Sequence, residues 1–255
     1  MPYAKSDTTT IYYETHGEGP AVLFVHGSGG NHAAWWQQTA VLMKDYQVIN
    51  IDLRGFGKSD PVEEGPDAQD FPEDILAVLE HAGVSGVVAV GQSIGAAAAL
   101  KAALRDPSRI AGVVLAHSLG GISHADITPL VKADRAQAEK MPVIDRLLTK
   151  RFQQEEFAKT FLFKQMGTFN QARMQDLRNL ALGGPSIDDV IASGVKVCFL
   201  TGEHDKVLRP ATVRKAHELL EGSMMIEVPG GPHSMYWEAP EKFNTALLEF
   251  LTKMN

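Results

Sequence analysis

One cysteine occurs in 255 residues, Cys198, so no disulfide can form within the chain. The fold must then be held by its core, and the cysteine usage fits a reducing, cytoplasmic compartment. Cys198 lies in the apolar run Val195-Lys196-Val197-Cys198-Phe199-Leu200, which marks it as a buried strand thiol rather than a nucleophile. Long hydrophobic runs are missing as well. The run at 94–100 stops at Lys101, far short of the length that crosses a bilayer. Met1-Pro2-Tyr3-Ala4-Lys5-Ser6-Asp7 has no apolar export signal. No Cys or His pair has zinc spacing and H-E-x-x-H is absent, so no metal is expected. Basic residues are in deficit, 24 Lys and Arg against 31 Asp and Glu, for a net charge of −7. That surface disfavours nucleic acid and anionic membranes as partners.

Two phosphate-binding look-alikes also lack a necessary part. Gly57-Lys58-Ser59 resembles the end of a phosphate loop, but the glycine needed five residues earlier is Asp52. Gly27-Ser28-Gly29-Gly30-Asn31-His32 lacks the third glycine of a dinucleotide fingerprint. No cofactor is implied.

What is present is a core-forming composition, 44% hydrophobic with 22% charged, enough for one large α/β domain with an insertion. Apolar runs at 21–25, 47–51, 86–90, 110–116, 195–200 and 224–228 predict buried strands. An alternating stretch at 9–14 predicts an antiparallel strand. Helical patterns lie between them, at 32–44, 72–81, 94–104, 211–220 and 241–253. This alternation predicts a mostly parallel sheet covered on both faces. From 122 to 184 the rhythm changes. Helices are expected near 127–140, 143–150, 155–166 and 171–180, with no strand. The division is therefore a core of 1–121 and 185–255 and a helical cap of 122–184 that covers a site at the sheet edge.

The chemistry-bearing motif is Gly91-Gln92-Ser93-Ile94-Gly95, set between Val87-Val88-Ala89-Val90 and an alanine-rich helix. A chain that turns sharply from strand to helix around a serine holds the hydroxyl proud of the sheet, and side chains at 91 and 95 would collide in that turn. The helix N-terminus behind Ser93 favours negative charge developing there. A serine hydroxyl needs a base. Of nine histidines, His233 stands in the rigid loop Pro229-Gly230-Gly231-Pro232-His233-Ser234, after a strand and before the last helix, where it can reach the sheet edge. His81 and His217 fall within helices, His16 in a turn and His124 in the insert. An orienting carboxylate is available as Glu203 or Asp205 after the 195–200 strand. The position after the 110–116 strand reads His117-Ser118-Leu119-Gly120 and has no carboxylate before Asp126. His26-Gly27-Ser28-Gly29-Gly30 frees backbone amides to meet an oxyanion; the N–H groups of Ser28 and Ile94 are the expected pair, with Gly29 as the second choice for the first donor. His26 is expected to be structural. Trp35, Phe161 and Met166 are pocket candidates.

Together these segments, with Asp52-Leu53-Arg54-Gly55-Phe56-Gly57-Lys58-Ser59 and Pro232-His233 followed by Glu238-Ala239-Pro240, resemble the α/β-hydrolase superfamily over essentially the whole chain apart from the insert. The match is to its capped branch of esterases, lactonases, enol-lactone hydrolases and carbon–carbon bond hydrolases. The resemblance implies an eight-stranded-type sheet and a triad of Ser93, Asp205 and His233 in that chain order. Two departures bear on activity. Hydrolases of ring-cleavage products carry a proline in the oxyanion loop where this chain has Gly30-Asn31, and epoxide hydrolases and haloalkane dehalogenases use an aspartate where Ser93 stands. The expectation is a serine hydrolase of small carboxylic esters or lactones, a monomer or homodimer. Carbon–carbon hydrolysis, perhydrolysis and a hydrolase-fold ligand receptor are the alternatives, since fold alone never settles substrate.

Overall fold

The computed structural model describes residues 2–254. In chain order the elements of the first half are β1 (Tyr3–Ser6), β2 (Thr9–His16), β3 (Ala21–Val25), α1 (Trp36–Leu42), β4 (Gln47–Ile51), α2 (Phe71–His81), β5 (Val87–Gln92), α3 (Ile94–Arg105) and β6 (Ile110–Ala116). The stretch between β6 and β7 holds α4 (Thr128–Ala138), α5 (Val143–Leu147), α6 (Lys150–Glu155), α7 (Phe157–Met166) and α8 (Ile187–Ser193). The chain ends with β7 (Lys196–Gly202), α9 (Pro210–Leu219), β8 (Met224–Val228), α10 (Met235–Glu238) and α11 (Pro240–Met254).

The eight strands form one sheet in the order β1-β2-β4-β3-β5-β6-β7-β8. β1 and β2 are antiparallel to each other, and β2 is antiparallel to β4. From β4 to β8 every pairing is parallel. Alternate side chains of each strand feed two separate cores, as the two-residue period requires. Leu23, Val25, Val87 and Ala89 join α2, α3, α8 and α9 on one face. Val22, Phe24, Val88 and Val90 join α1, α10 and α11 on the other. A strand buried on both faces has no polar side, which is why β3 and β5 read as unbroken apolar runs.

The sequence expectation of a helix at 171–180 is not met. Among these residues there is only a single turn at Met174–Asp176, Leu177 is extended and Asn179 has φ +56°. The backbone groups are spent elsewhere: Ala172 N–H donates to Gly55 O at 2.8 Å, Arg178 N–H to Pro66 O at 2.9 Å, and Ala68 N–H to Arg178 O at 3.0 Å. Pairing with the loop after β4 thus replaces the intrahelical ladder. No helix among the described residues is long and apolar enough to cross a membrane.

Candidate active site

β5 runs straight into α3 through Ser93, whose backbone sits at φ +54°, ψ −115°. That is a region non-glycine residues seldom occupy, and a strained serine at a strand-to-helix turn is what presents an exposed nucleophile. The flanking glycines are there for space. A Cβ on Gly91 would lie 2.4 Å from Ala96 Cα, and one on Gly95 would lie 2.4 Å from Val25 O. The first is a collision within the turn; the second is with the end of β3, so Gly95 also sets how closely α3 approaches the sheet. Ser93 N–H donates to Ala116 O at 3.2 Å, which ties the elbow to the end of β6.

Asp205 lies in the loop after β7 and is fully buried. Its Oδ1 accepts Val207 N–H at 2.8 Å and Leu208 N–H at 3.0 Å. His233, in the loop after β8, turns Nδ1 to the same carboxylate, 3.0 Å from Oδ1 and 2.9 Å from Oδ2. A carboxylate only accepts, so His233 holds its proton on Nδ1 and Nε2 is an acceptor. Among the described residues the one side-chain hydrogen bond reaching that Nε2 is from Gln92 Nε2, at 3.3 Å. Gln92 precedes Ser93, so Nε2 lies beside the elbow, with its lone pair accepting from the Gln92 amide. Glu203, the other carboxylate the sequence offered, is exposed and accepts Gly230 N–H.

The two loops are clamped by their backbones. His204 N–H donates to Gly231 O at 2.9 Å and Glu203 N–H to Val228 O at 3.0 Å. A Cβ on Gly202 would lie 2.1 Å from Gly231 O; only glycine lets the Asp205 and His233 loops lie this close.

A residue the sequence reading passed over stands in the same cluster. His117, at the end of β6, places Nδ1 3.0 Å from Asp205 Oδ2, with neither side chain exposed. Burial, the largest influence on Asp205, raises its pKa, but charge from His233 and hydrogen bonds from both imidazoles more than offset it and hold the carboxyl well below its usual range. Desolvation holds His117 below the ordinary histidine value against the pull of Asp205. One potential ligand atom from each of His117, Asp205 and His233 lies within 4.8 Å of the others. The two imidazole–carboxylate contacts, 2.9 and 3.0 Å, are hydrogen-bond lengths, tighter than the roughly 3.3 Å edge of a tetrahedral zinc set. The geometry is that of two N–H donors on one oxygen, not of a metal cage.

In the loop expected to meet an oxyanion, Gly30 N–H closes a turn onto Gly27 O at 3.0 Å. The N–H groups of Ser28, Gly29 and Ile94 donate to no protein group among the described residues. His26 is structural, as expected: Leu53 N–H donates to its Nε2 at 3.1 Å, so its Nδ1–H donates to Gly27 O at 2.8 Å. The would-be phosphate loop is already filled. Its Lys58 N–H donates to the buried Asp52 Oδ2 at 2.8 Å, and Ser59 Oγ–H donates to Asp52 O at 2.6 Å.

The insert is tied down on both sides of this site. Asn170 donates through Nδ2 to Gly30 O at 2.9 Å and accepts Gly57 N–H on Oδ1 at 3.1 Å. Asn31 Nδ2 donates to Met166 O at 3.3 Å. On the other side Ser234 N–H donates to Leu147 O at 3.0 Å, and Glu238 accepts from the Thr149 backbone and hydroxyl.

Two of the three pocket candidates are corrected. Trp35 is 0% exposed and packs among Phe24, Tyr236 and Phe243, so it lines no space that admits water. Phe161 is 57% exposed. At 100° per residue, the inward stripe of α7 is Thr160, Phe163 and Met166, and Phe161 falls on the opposite face. Met166 alone is buried on the side facing the oxyanion loop.

Residues 22–246 match the alpha/beta hydrolase family. The chain belongs to that family. Among its relatives is a bifunctional esterase/perhydrolase of Acinetobacter calcoaceticus, 27% identical over 276 residues and covering 96% of this chain and 97% of that protein. A thermophilic esterase from Thermogutta terrifontis superposes with a TM-score of 0.84 at 22% identity, covering 99% of this chain and 98% of that one. The enol-lactonase of Burkholderia xenovorans LB400 does so at 0.80 and 22%, covering 98% and 100%. At such identities the structural likenesses establish the alpha/beta hydrolase fold and nothing finer.

Proposed function

We propose that this alpha/beta hydrolase cleaves a small carboxylic ester or lactone through an acyl-enzyme on Ser93. The observation that carries the reading is the hydrogen bond of His233 Nδ1–H to buried Asp205, which leaves Nε2 as an acceptor beside the elbow, where the Gln92 amide meets it and must yield to the Ser93 hydroxyl. Nε2 takes the Ser93 proton as Oγ attacks the carbonyl carbon, and the N–H groups of Ser28 and Ile94 receive the oxyanion. The tetrahedral species collapses as His233 returns that proton to the leaving alkoxide. Water, deprotonated by His233, then repeats the sequence and frees the acid and Ser93. Asp205 keeps the proton on Nδ1 and stabilises the transient imidazolium. The insert acts as a cap, held over the site by Asn170 and Glu238. The esterase, perhydrolase and lactonase relatives are compatible with this chemistry, because each nucleophile or leaving group meets the same acyl-enzyme.

The test is steady-state hydrolysis of aryl esters and lactones by the wild type, Ser93→Ala and Asp205→Asn. The reading expects multiple turnovers by the wild type, with losses of about 10³-fold or more in Ser93→Ala and about 10⁴-fold in kcat for Asp205→Asn. A single turnover that leaves a stable adduct would favour a ligand receptor on this fold. Retention of more than about a tenth of the rate by Ser93→Ala would remove Ser93 as nucleophile.

A further inference from the structure

Asp205 carries more hydrogen-bond donors than a triad needs. Oδ1 is met by the Val207 and Leu208 amides and Oδ2 by both His233 and His117. The second imidazole comes from a different strand, 88 residues away in sequence. We infer that His117 is a positioning residue for the proposed reaction: as a neutral Nδ1–H imidazole it shares the Asp205 carboxylate with His233, fixing its orientation and limiting how strongly it draws the His233 proton. The inference rests on the triad reading above.

Three observations carry it. First, His117 is one of four non-glycine residues with positive φ among the described residues, and the only other one in the site is Ser93. Its φ of +54° is held by a 2.8 Å bond from its N–H to Leu200 O. Backbone strain of this kind persists only where the surroundings over-determine it; here it aims the imidazole at Asp205. Second, His117 Nε2 is buried and has no hydrogen-bond partner among the described residues. A proton there would be an unpaired buried donor, so the ring is neutral with its proton on Nδ1, where the carboxylate accepts it. Third, no other ionisable group competes for the carboxylate. Glu203, His204 and Lys206 on its own loop are exposed. From the insert, Asp134 pairs with Arg209 and Asp145 with Lys150.

The consequence is electrostatic. A carboxylate that accepts from a second imidazole presents less charge to His233, so the imidazolium formed in the reaction is less stabilised. Removing the His117 donor should make His233 more basic and move the acid limb of kcat/KM upward.

The experiment compares His117→Leu, which removes the donor, with His117→Asn, whose Nδ2 takes the place of Nδ1 and whose side chain tolerates positive φ. Expected is an upward shift of the acid-limb midpoint in His117→Leu of about half a pH unit or more, and a wild-type midpoint in His117→Asn. A midpoint unchanged in His117→Leu, or shifted equally in both, overturns the inference, whatever happens to kcat. Should the Leu variant not fold, nitrogen-15 spectra of the wild-type imidazoles decide. They should show His117 as the neutral Nδ1–H tautomer throughout the range where exposed histidines titrate; an Nε2–H tautomer or ordinary titration overturns the inference. A serine-directed phosphonate on the same sample separates the failures. If Ser93 takes no label, the triad reading falls and takes this inference with it. If Ser93 is labelled and His117 titrates, this inference falls alone.

Discussion

His26 and His117 are both buried, and desolvation is the main reason their imidazoles stay below the ordinary histidine value. For a histidine with a lowered folded-state pKa, the unfolded chain takes up the proton first. The stability it contributes is therefore complete above the unfolded value of about 6.5 and lost as pH falls below it. Asp205 has the opposite charge and a lowered pKa, so its contribution is present above the unfolded carboxylate value of about 3.9 and declines as pH falls from there toward the folded value. Urea unfolding as a function of pH should show a plateau at neutral pH and above, a first decline beginning near pH 6.5 and a second near pH 4; constant stability from pH 8 to pH 5 would contradict the buried-neutral assignment. At this scale the loops that carry Ser93 and His233 were legible because each follows a readable strand, whereas Glu203 and Asp205 share one loop and only the resemblance favoured Asp205. His117 was not legible. The position after β6 offers no carboxylate, and a histidine that serves a carboxylate 88 residues away leaves no local pattern. Trp35 and Phe161 misled for a related reason: aromatic residues near a site look alike in sequence whether they fill the core or face water.

Among the elements, the loops after β7 and β8 act as one unit because Gly202 and Gly231 nearly touch. Gly202→Ala puts a Cβ 2.1 Å from Gly231 O, a backbone atom that can move only by parting the Asp205 and His233 loops. The expected cost is about 1–3 kcal/mol of stability, with a larger proportional loss of kcat, read by urea unfolding beside kinetics. Loss of stability without loss of kcat would mean that the loops part without disturbing the hydrogen bond. Asn170 plays the corresponding role between insert and oxyanion loop. Asn170→Ala deletes bonds to Gly30 and Gly57, and faster amide exchange should follow at 166–172 and 28–31 together; exchange confined to the insert would show that the two segments are not coupled. The sequence misjudged the elements where local pattern and tertiary pairing disagree. β1 was missed because its inward residues are Ala4 and Ser6, too small and polar to announce a strand. The 171–180 stretch has helical spacing but donates its backbone to the Gly55 and Pro66 loop. α8 was missed although its signals are present: Ser186 and Asp189 form a capping box and Gly194 closes the helix at φ +73°.

The architecture of the whole molecule was the most legible level, because six mainly apolar runs alternating with helices admit few arrangements besides a doubly covered parallel sheet. The reach of the insert was not, since which face of α7 turns inward depends on where Trp237, Phe163 and Lys159 meet. That packing makes a prediction about selectivity. In a series of acyl esters of rising chain length, Met166→Ala should extend the profile toward longer chains, and Phe161→Ala, on the outer face, should leave it as in the wild type. A profile changed by Phe161→Ala and not by Met166→Ala would mean the insert turns its other face to the substrate. The central claim, that the alpha/beta hydrolase frame here delivers an acyl group to Ser93, is tested most directly by acid quench of an aryl ester reaction in the pre-steady state, followed by mass mapping of the peptides. The account predicts an acyl mass on Ser93 that forms and decays at rates consistent with turnover. An acyl mass on another residue, or full turnover with no acylated Ser93 at any time, would contradict it.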